Sequence, residues 1–262
     1  MKKVIALFFI FLTLASLPAS AALLENSELT ADNMRFDPAT GDFIATGNVV
    51  IKADGVTVTS PLGTGNVKSR ELHFTEGISA AGTWQGQQLN LKAGRISLYF
   101  AQTPTYTVEG GVKGFYGTMS IDADKFYVKG QDLSAKGVRR LEDSKNGVSF
   151  GADSAHGKVE NGVITSLSAE GNVLIRGKAS EPTEIRGEKA LYSVARGSVV
   201  VSGNVKALQK GRTLTASALT YFPGANRIEA AGSDKGSSPA RIVIDMSQGV
   251  GERKKQDKRD KK

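Results

Sequence analysis

A chain of 262 residues with thirty Gly, no Cys and a formal net charge of +8 has no disulfide framework and no Cys to carry a lipid anchor. The charge sits at the ends. Lys2 and Lys3 supply two, and Glu252 to Lys262 holds seven Lys/Arg against three Asp/Glu, which leaves the body near +2 and argues against a nucleic-acid partner.

The chain opens with Lys2 and Lys3, an apolar run from Val4 to Leu17, and Pro18-Ala19-Ser20-Ala21. A short charged start, an apolar stretch and a small-x-small ending predict a signal peptide over residues 1–21, cleaved after Ala21. The run is shorter than the roughly 20 residues a spanning helix needs. Residues 22–251 are expected to form one extended domain. Residues 252–262 read as a solvated basic tail, with attraction to anionic headgroups or phosphates as the functional alternative.

From residue 43 onward a signature of the form apolar-x-(Ala/Val)-x-Gly returns every 27 to 35 residues. Its copies are Phe43 to Gly47, Ile78 to Gly82, Tyr106 to Gly110, Leu133 to Gly137, Leu167 to Gly171, Val199 to Gly203 and Ile228 to Gly232. Before each lies a small residue, then a polar residue or Gly, then an apolar or aromatic cluster, as in Ala31 to Phe36, Ala123 to Val128 and Ala216 to Tyr221. Turn chemistry at Asp37 to Gly41, Asn161-Gly162, Ala195 to Gly197 and Pro223 to Asn226 separates the two, so each unit reads as a β-hairpin. Alternation is clear where Phe43, Ala45, Gly47, Val49 and Ile51 share one face. No long segment carries the helical period, so an all-β fold of roughly sixteen to twenty short strands of about five residues is expected. A Gly inside each strand signature permits a bulge or bend, and seven such bends predict a sheet curled over its own core.

Little in the chain points to catalysis or a metal. Gly147-Val148-Ser149-Phe150-Gly151 fits the nucleophile-elbow pattern, but no helix is expected after it and His156 follows too closely. His73 and His156 are the only histidines, too few for a transition-metal centre. Trp84 and the scattered Tyr and Phe read as core residues rather than base-stacking platforms. The expectation is a non-enzymatic protein with no cofactor and no metal.

Ala31-Asp32, the turn at Asp37 to Gly41, Ala45-Thr46-Gly47-Asn48-Val49 and Ser202-Gly203-Asn204-Val205 resemble the OstA-like family. The resemblance runs over nearly the whole mature chain and is strongest at residues 27 to 60 and 187 to 232. It implies a slightly twisted, V-shaped β-jellyroll of stacked antiparallel strands, open at both ends, with acyl chains inside and sugars and phosphates outside. Implied with it are a periplasmic location, lipopolysaccharide or lipid A as ligand, and a place in a protein bridge between membranes. Partners would be related jellyroll domains of inner- and outer-membrane transport proteins, joined by β-augmentation at the open first and last strands, with head-to-tail homo-oligomers as a further possibility. The groove-lining candidates are Leu29, Phe43, Ala45, Val49, Ile51 and Val58 near one end, with Phe74, Phe100, Phe115, Phe126 and Phe150 farther along. An exported structural or adhesive repeat protein with a sealed core is the alternative from another class. An adaptor of the same pathway, tethered by an uncleaved signal, is a third.

Overall fold

The computed structural model describes residues 28–230 and 240–244, apart from residues 54, 85, 104, 146, 161–162, 178–181, 194 and 210–211. The expected signal segment, the basic tail, the turn at Asn161-Gly162 and the last signature Gly, Gly232, lie outside the described residues.

Eighteen strands account for almost all of the described chain, and the one helical element is a 3-10 turn at Pro223–Ala225. The strands are β1 (Glu28–Thr30), β2 (Asn33–Phe36), β3 (Asp42–Ala53), β4 (Val56–Asn66), β5 (Glu71–Thr75), β6 (Ile78–Trp84), β7 (Gln87–Ala93), β8 (Arg95–Tyr99) and β9 (Thr105–Tyr116). They continue as β10 (Met119–Lys129), β11 (Asp132–Asp143), β12 (Val148–Glu160), β13 (Val163–Gly177), β14 (Thr183–Ser193), β15 (Ser198–Gln209), β16 (Arg212–Phe222), β17 (Arg227–Ala230) and β18 (Arg241–Ile244). Every pairing is antiparallel and joins neighbours along the chain or near neighbours, so the fold is an all-β jellyroll stack.

Strand length departs from expectation. Ten strands run eleven to fifteen residues, because the signature Gly bends a strand without ending it. Asn48 to Lys52 and Asn172 to Arg176 are the second halves of β3 and β13 rather than strands of their own. In β3 the register passes from Thr46↔Leu62 to Val49↔Ser60, so Gly47 and Asn48 together oppose Pro61 alone. That two-against-one count is a β-bulge, after which the ladder resumes. Matching register breaks fall at Glu170/Val173 in β13, Arg186/Lys189 in β14 and Ser202/Val205 in β15. They align into a crease across the sheet. Where the chain does break, it breaks on the same line. β1 pairs with the far half of β3 and β2 with the near half, and β7 and β8 divide β9 in the same way at Gly94.

The crease makes two walls. In the first, an inward row passes through Ala45, Phe74, Ile96, Val108, Phe126, Ala135, Ala155, Ala169, Ala190, Val201 and Leu219 by direct strand pairing, with Gly63 between Ala45 and Phe74. In the second, the row runs from Leu29 and Ile51 through Val58, Ala80, Leu91, Ile121, Leu141, Phe150, Ile175, Ile185 and Ala207 to Leu214, with Gly114 between Leu91 and Ile121. Small residues of one wall thus accompany large residues of the other, which lets two twisted faces close into one packed core. Phe150 of the second wall meets Tyr192 of the first with ring centroids 5.6 Å apart.

Gly82 is the exception among the signature glycines. It lies in regular pairing with Val56 and Leu89 near a hairpin end, and a Cβ there would sit 2.2 Å from the Gly55 carbonyl oxygen. Close backbone approach explains this glycine, and the local bend comes earlier, at Glu76-Gly77 between β5 and β6.

Candidate functional site

The crease is built by a repeated side-chain clamp. Gly47, Gly171 and Gly203 adopt positive φ, and the following Asn48, Asn172 and Asn204 sit in the left-handed region at φ of 47° to 48°. Asn tolerates that region better than other side chains, which explains the Gly-Asn pair. The Asn amides donate to the polar residue of the preceding small-polar pair. Asn48 Nδ2 reaches Asp32 at 2.9 Å, Asn172 Nδ2 reaches Asp153 at 2.9 Å, and Asn204 Nδ2 reaches Glu188 at 2.6 Å. The carboxylate fills the space beside the glycine, so a Cβ on Gly171 would lie 2.3 Å from Asp153 Oδ2. At Gly137 the clamp changes partners. Asp124 again lies beside the glycine, and the Arg139 guanidinium grips it together with Asp122. Those hydrogen bonds raise the Arg139 pKa. At Gly110 backbone replaces side chain, with Gly94 N–H donating to the carbonyls of Glu109 and Gly110 at 3.0 and 3.1 Å. Here the outer side of the crease carries an open groove of about 660 Å³ lined by Glu76, Arg95, Glu109, Asp124 and Lys125 among others.

The interior between the walls is apolar. Ala45, Val49, Phe74, Phe100, Phe126 and Phe150 are buried in one continuous cluster, and Leu29, Ile51 and Val58 pack against it while half-buried. Phe43 shares their face and is half-buried, pressed so close to Gly65 that a Cβ there would lie 2.5 Å from its ring. Phe115 does not join them. It is 44% exposed, because β9 turns Tyr106, Val108, Val112 and Tyr116 inward and leaves the odd-numbered Phe115 on the outer face between Asn90 and Ser120. The sequence reading took it for a lining residue by its aromatic type, against the strand's own alternation.

Sequence reasoning left the tyrosines out of the lining. Tyr106, Tyr116 and Tyr221 are at most 1% exposed, and Tyr192 packs on the cluster. The signal was available, since Tyr106 opens one signature copy and Tyr192 and Tyr221 close two of the small-polar clusters. Burial pushes all four phenols above their ordinary pKa, and the nearby Asp143 carboxylate adds to the rise at Tyr192.

The interior differs along its length. In the middle the walls meet and Tyr106, Val108 and Val128 are fully buried. At the first edge Met34 and Phe36, paired with Ala45 and Phe43, are 51% and 52% exposed. At the last edge Leu214 and Ile228 are half-buried. Near that edge a polar latch joins the wall margins. Thr183 Oγ1 donates to Asn226 Oδ1 at 3.1 Å, Tyr221 O–H donates to the same oxygen at 3.4 Å, and Gln209 Nε2 donates to Thr183 Oγ1 at 3.1 Å. Thr183 and Gln209 belong to one margin, Tyr221 and Asn226 to the other.

Ser149 lies within β12 with Glu142 and Arg176 as its strand partners, in no strand-turn-helix setting. His73 Nδ1 shares a hydrogen bond of 3.1 Å with Ser97 Oγ across β5 and β8, and His156 is exposed on β12. No cluster of three metal-ligating side chains occurs among the described residues.

The sequence profile of the LptA/(LptD N-terminal domain) LPS transport protein family matches residues 92–227, just over half of the chain. The chain belongs to this family. The match begins in β7, although the resemblance read from sequence was strong over residues 27 to 60. Those earlier residues repeat the same unit, since Asp32, Gly47 and Asn48 build the clamp that Asp153, Gly171 and Asn172 build within the matched region. Among solved structures the chain is similar to LptH from Pseudomonas aeruginosa, described as the LptA homologous periplasmic component of the conserved lipopolysaccharide transport device. The two share 13% identity over 86% of this chain and 99% of that one, with a TM-score of 0.23. No curated protein matches the chain.

Proposed function

We propose that this protein is a non-enzymatic periplasmic carrier that shields the acyl chains of lipopolysaccharide, or a related glycolipid, on the way from inner to outer membrane. The observation that carries the reading is the pair of unbroken apolar rows that line facing walls from Leu29 to Leu214, with large apolar side chains left half-exposed at each end of the stack. An acyl chain entering there gains about 0.8 kcal/mol per buried methylene, so affinity needs no polar recognition. The closed middle requires the walls to part, and the crease is the natural hinge because its bulges interrupt the ladder without cutting it.

The first and last edges give the carrier its partners. Among the described residues β1 and β2 bond only to β3, and β17 and β18 only to β16. Free strand edges accept another strand, which suits related jellyroll domains of membrane-bound transport proteins and head-to-tail copies of this chain. Export rests on the segment ending at Ala21.

Photo-crosslinking in lipopolysaccharide-producing cells tests the reading. Probes at Leu29, Val49 and Phe126 should form adducts with lipid A, and a probe at the outward Phe115 should not. Absence of adducts at all three inward positions would sink it. A sealed structural repeat is the second reading, favoured by the complete burial of Tyr106, Val108 and Val128. It expects no interior dye signal that lipid A can displace.

A further inference from the structure

We infer that the outer face of the second wall, over its last strands, docks on an anionic phospholipid bilayer. Ile175, Ile185, Val205 and Ala207 point inward and are at most 2% exposed, so their neighbours Arg176, Arg186 and Lys206 point outward. Arg186 pairs directly with Lys206, Lys206 with Thr215, and Thr215 with Arg241, which sets three exposed cations in one row across β14, β15 and β18. The adjacent row holds Arg176, Glu184, Leu208, Thr213 and Val243. Glu184 is the one carboxylate in the two rows, and it is shared between Arg176 at 3.2 Å and Arg186 at 2.7 Å. Lys206 and Arg241 make no ion pair among the described residues.

On the opposite wall Lys125 also lies directly opposite Lys136, but carboxylates interleave with the cations of that row. Across the same strands its outer face pairs Lys189 with Glu170 at 3.3 Å, and farther along Lys125 with Glu109 at 3.0 Å. Like charges placed directly opposite, as Arg186 and Lys206 are, work against strand pairing. Glu184 answers Arg186, while Lys206 and Arg241 have no carboxylate beside them among the described residues, and a fold that keeps a row of cations so lightly neutralised has a reason outside its own stability. Leu208 and Val243 stand among these cations, each 48% exposed. Cations interspersed with exposed aliphatic side chains on one sheet face match the anionic headgroup layer of a membrane better than a free phosphate, which would not reward the apolar exposure. The sequence adds to this. Eight residues after β18 the chain reaches Glu252 to Lys262, with seven Lys/Arg against three Asp/Glu, tethered to the strand that carries Arg241.

None of these residues faces the interior, so the docking is independent of which lipid, if any, the interior holds. The experiment is flotation of the purified exported protein with phosphatidylcholine vesicles made with and without phosphatidylglycerol. Binding should require phosphatidylglycerol and weaken with salt. Replacing Arg186, Lys206 and Arg241 by Gln should lower partitioning about fivefold per residue, roughly a hundredfold together. The same exchange at Lys125, Lys136 and Lys158 on the other wall should leave it unchanged. The melting temperature of the Arg186/Lys206/Arg241 variant, expected at or above that of the parent, shows that it is folded. Equal binding to both vesicle types, or a triple variant that floats like the parent, overturns the proposal. So does a variant that loses affinity for lipopolysaccharide micelles while keeping it for phosphatidylglycerol vesicles, because the cargo's phosphates would then be the occupant.

Discussion

Replacing Gly171 by Ala should cost about 2–4 kcal/mol, and the structure divides that cost into two parts. The first is conformational. Gly171 has φ +75°, where an L side chain is strained by about 1–2 kcal/mol. The second is steric, because the new Cβ would lie 2.3 Å from Asp153 Oδ2 and 2.9 Å from Asp153 Cβ. Rotating the carboxylate away clears the oxygen but not the Cβ. Either β12 shifts or the Asn172 amide loses its bonds to Asp153, worth about another 1–2 kcal/mol. Gly111 separates the two parts, since it has φ +79° and nothing within 4 Å of a built Cβ. Gly111→Ala should therefore pay only the conformational share. Urea unfolding of both variants, with Asp153→Ala and the Gly171→Ala/Asp153→Ala double, measures the difference. The double should be at least about 1 kcal/mol less destabilised than the two single effects added together. Equal costs at Gly171 and Gly111, or strict additivity in the double, would refute the clamp as the determinant of the crease.

Three further outcomes are expected. Phe126→Ala should destabilise by about 3–5 kcal/mol and Phe115→Ala by no more than about 0.5, as read by thermal melting, because one fills the core and the other faces solvent. The buried tyrosines should make stability fall in alkali. Their folded pKa values are raised, so their contribution is whole below the ordinary phenol pKa of about 10 and is lost as pH climbs toward the folded values. Melting temperatures from pH 8 to 11 should drop above pH 10, with a shallower drop for Tyr106→Phe, and a flat profile would contradict the burial of these phenols. Asn226→Ala removes the acceptor shared by Thr183 and Tyr221 and should cost about 1–3 kcal/mol. A cost confined to that amount, with faster dye entry into the interior, would mark the latch as a contact between the wall margins.

The sequence made the repeat and its wall-facing pattern legible because both depend on local rules. Phe43, Ala45, Val49 and Ile51 alternate as the structure has them, since a bulge that adds Gly47 and Asn48 keeps that parity in β3. Strand length was not legible. A Gly-Asn pair inside a strand looks like a turn, and only the carboxylate waiting across the pair turns it into a bulge. That carboxylate comes from a neighbouring segment, sixteen residues before Asn48 at Asp32 and nineteen before Asn172 at Asp153, so no local pattern announces it. Phe115 was misplaced for the opposite reason. Its strand's parity was readable from Tyr106 and Val108, and residue type was given more weight than position.

The variable spacing of the clamp explains how the chain extends its interior. Between carboxylate and glycine lie a hairpin turn and two half-strands, and the turn differs from unit to unit, yet Asp32, Asp153 and Glu188 all meet their Gly-Asn partners with amide contacts of 2.6 to 2.9 Å. The contact fixes where the next strand bends, whatever length of turn precedes it. Each added hairpin therefore inherits the crease from the one before and places its small residue, Ala45, Ala169 or its equivalent, on the same inward row. Each unit of such a stack draws its stability chiefly from the units on either side of it. An interior can then grow by whole units with no new chemistry, and the half-exposed apolar side chains fall on the first unit, where Met34 and Phe36 lie beside Ala45 and Phe43.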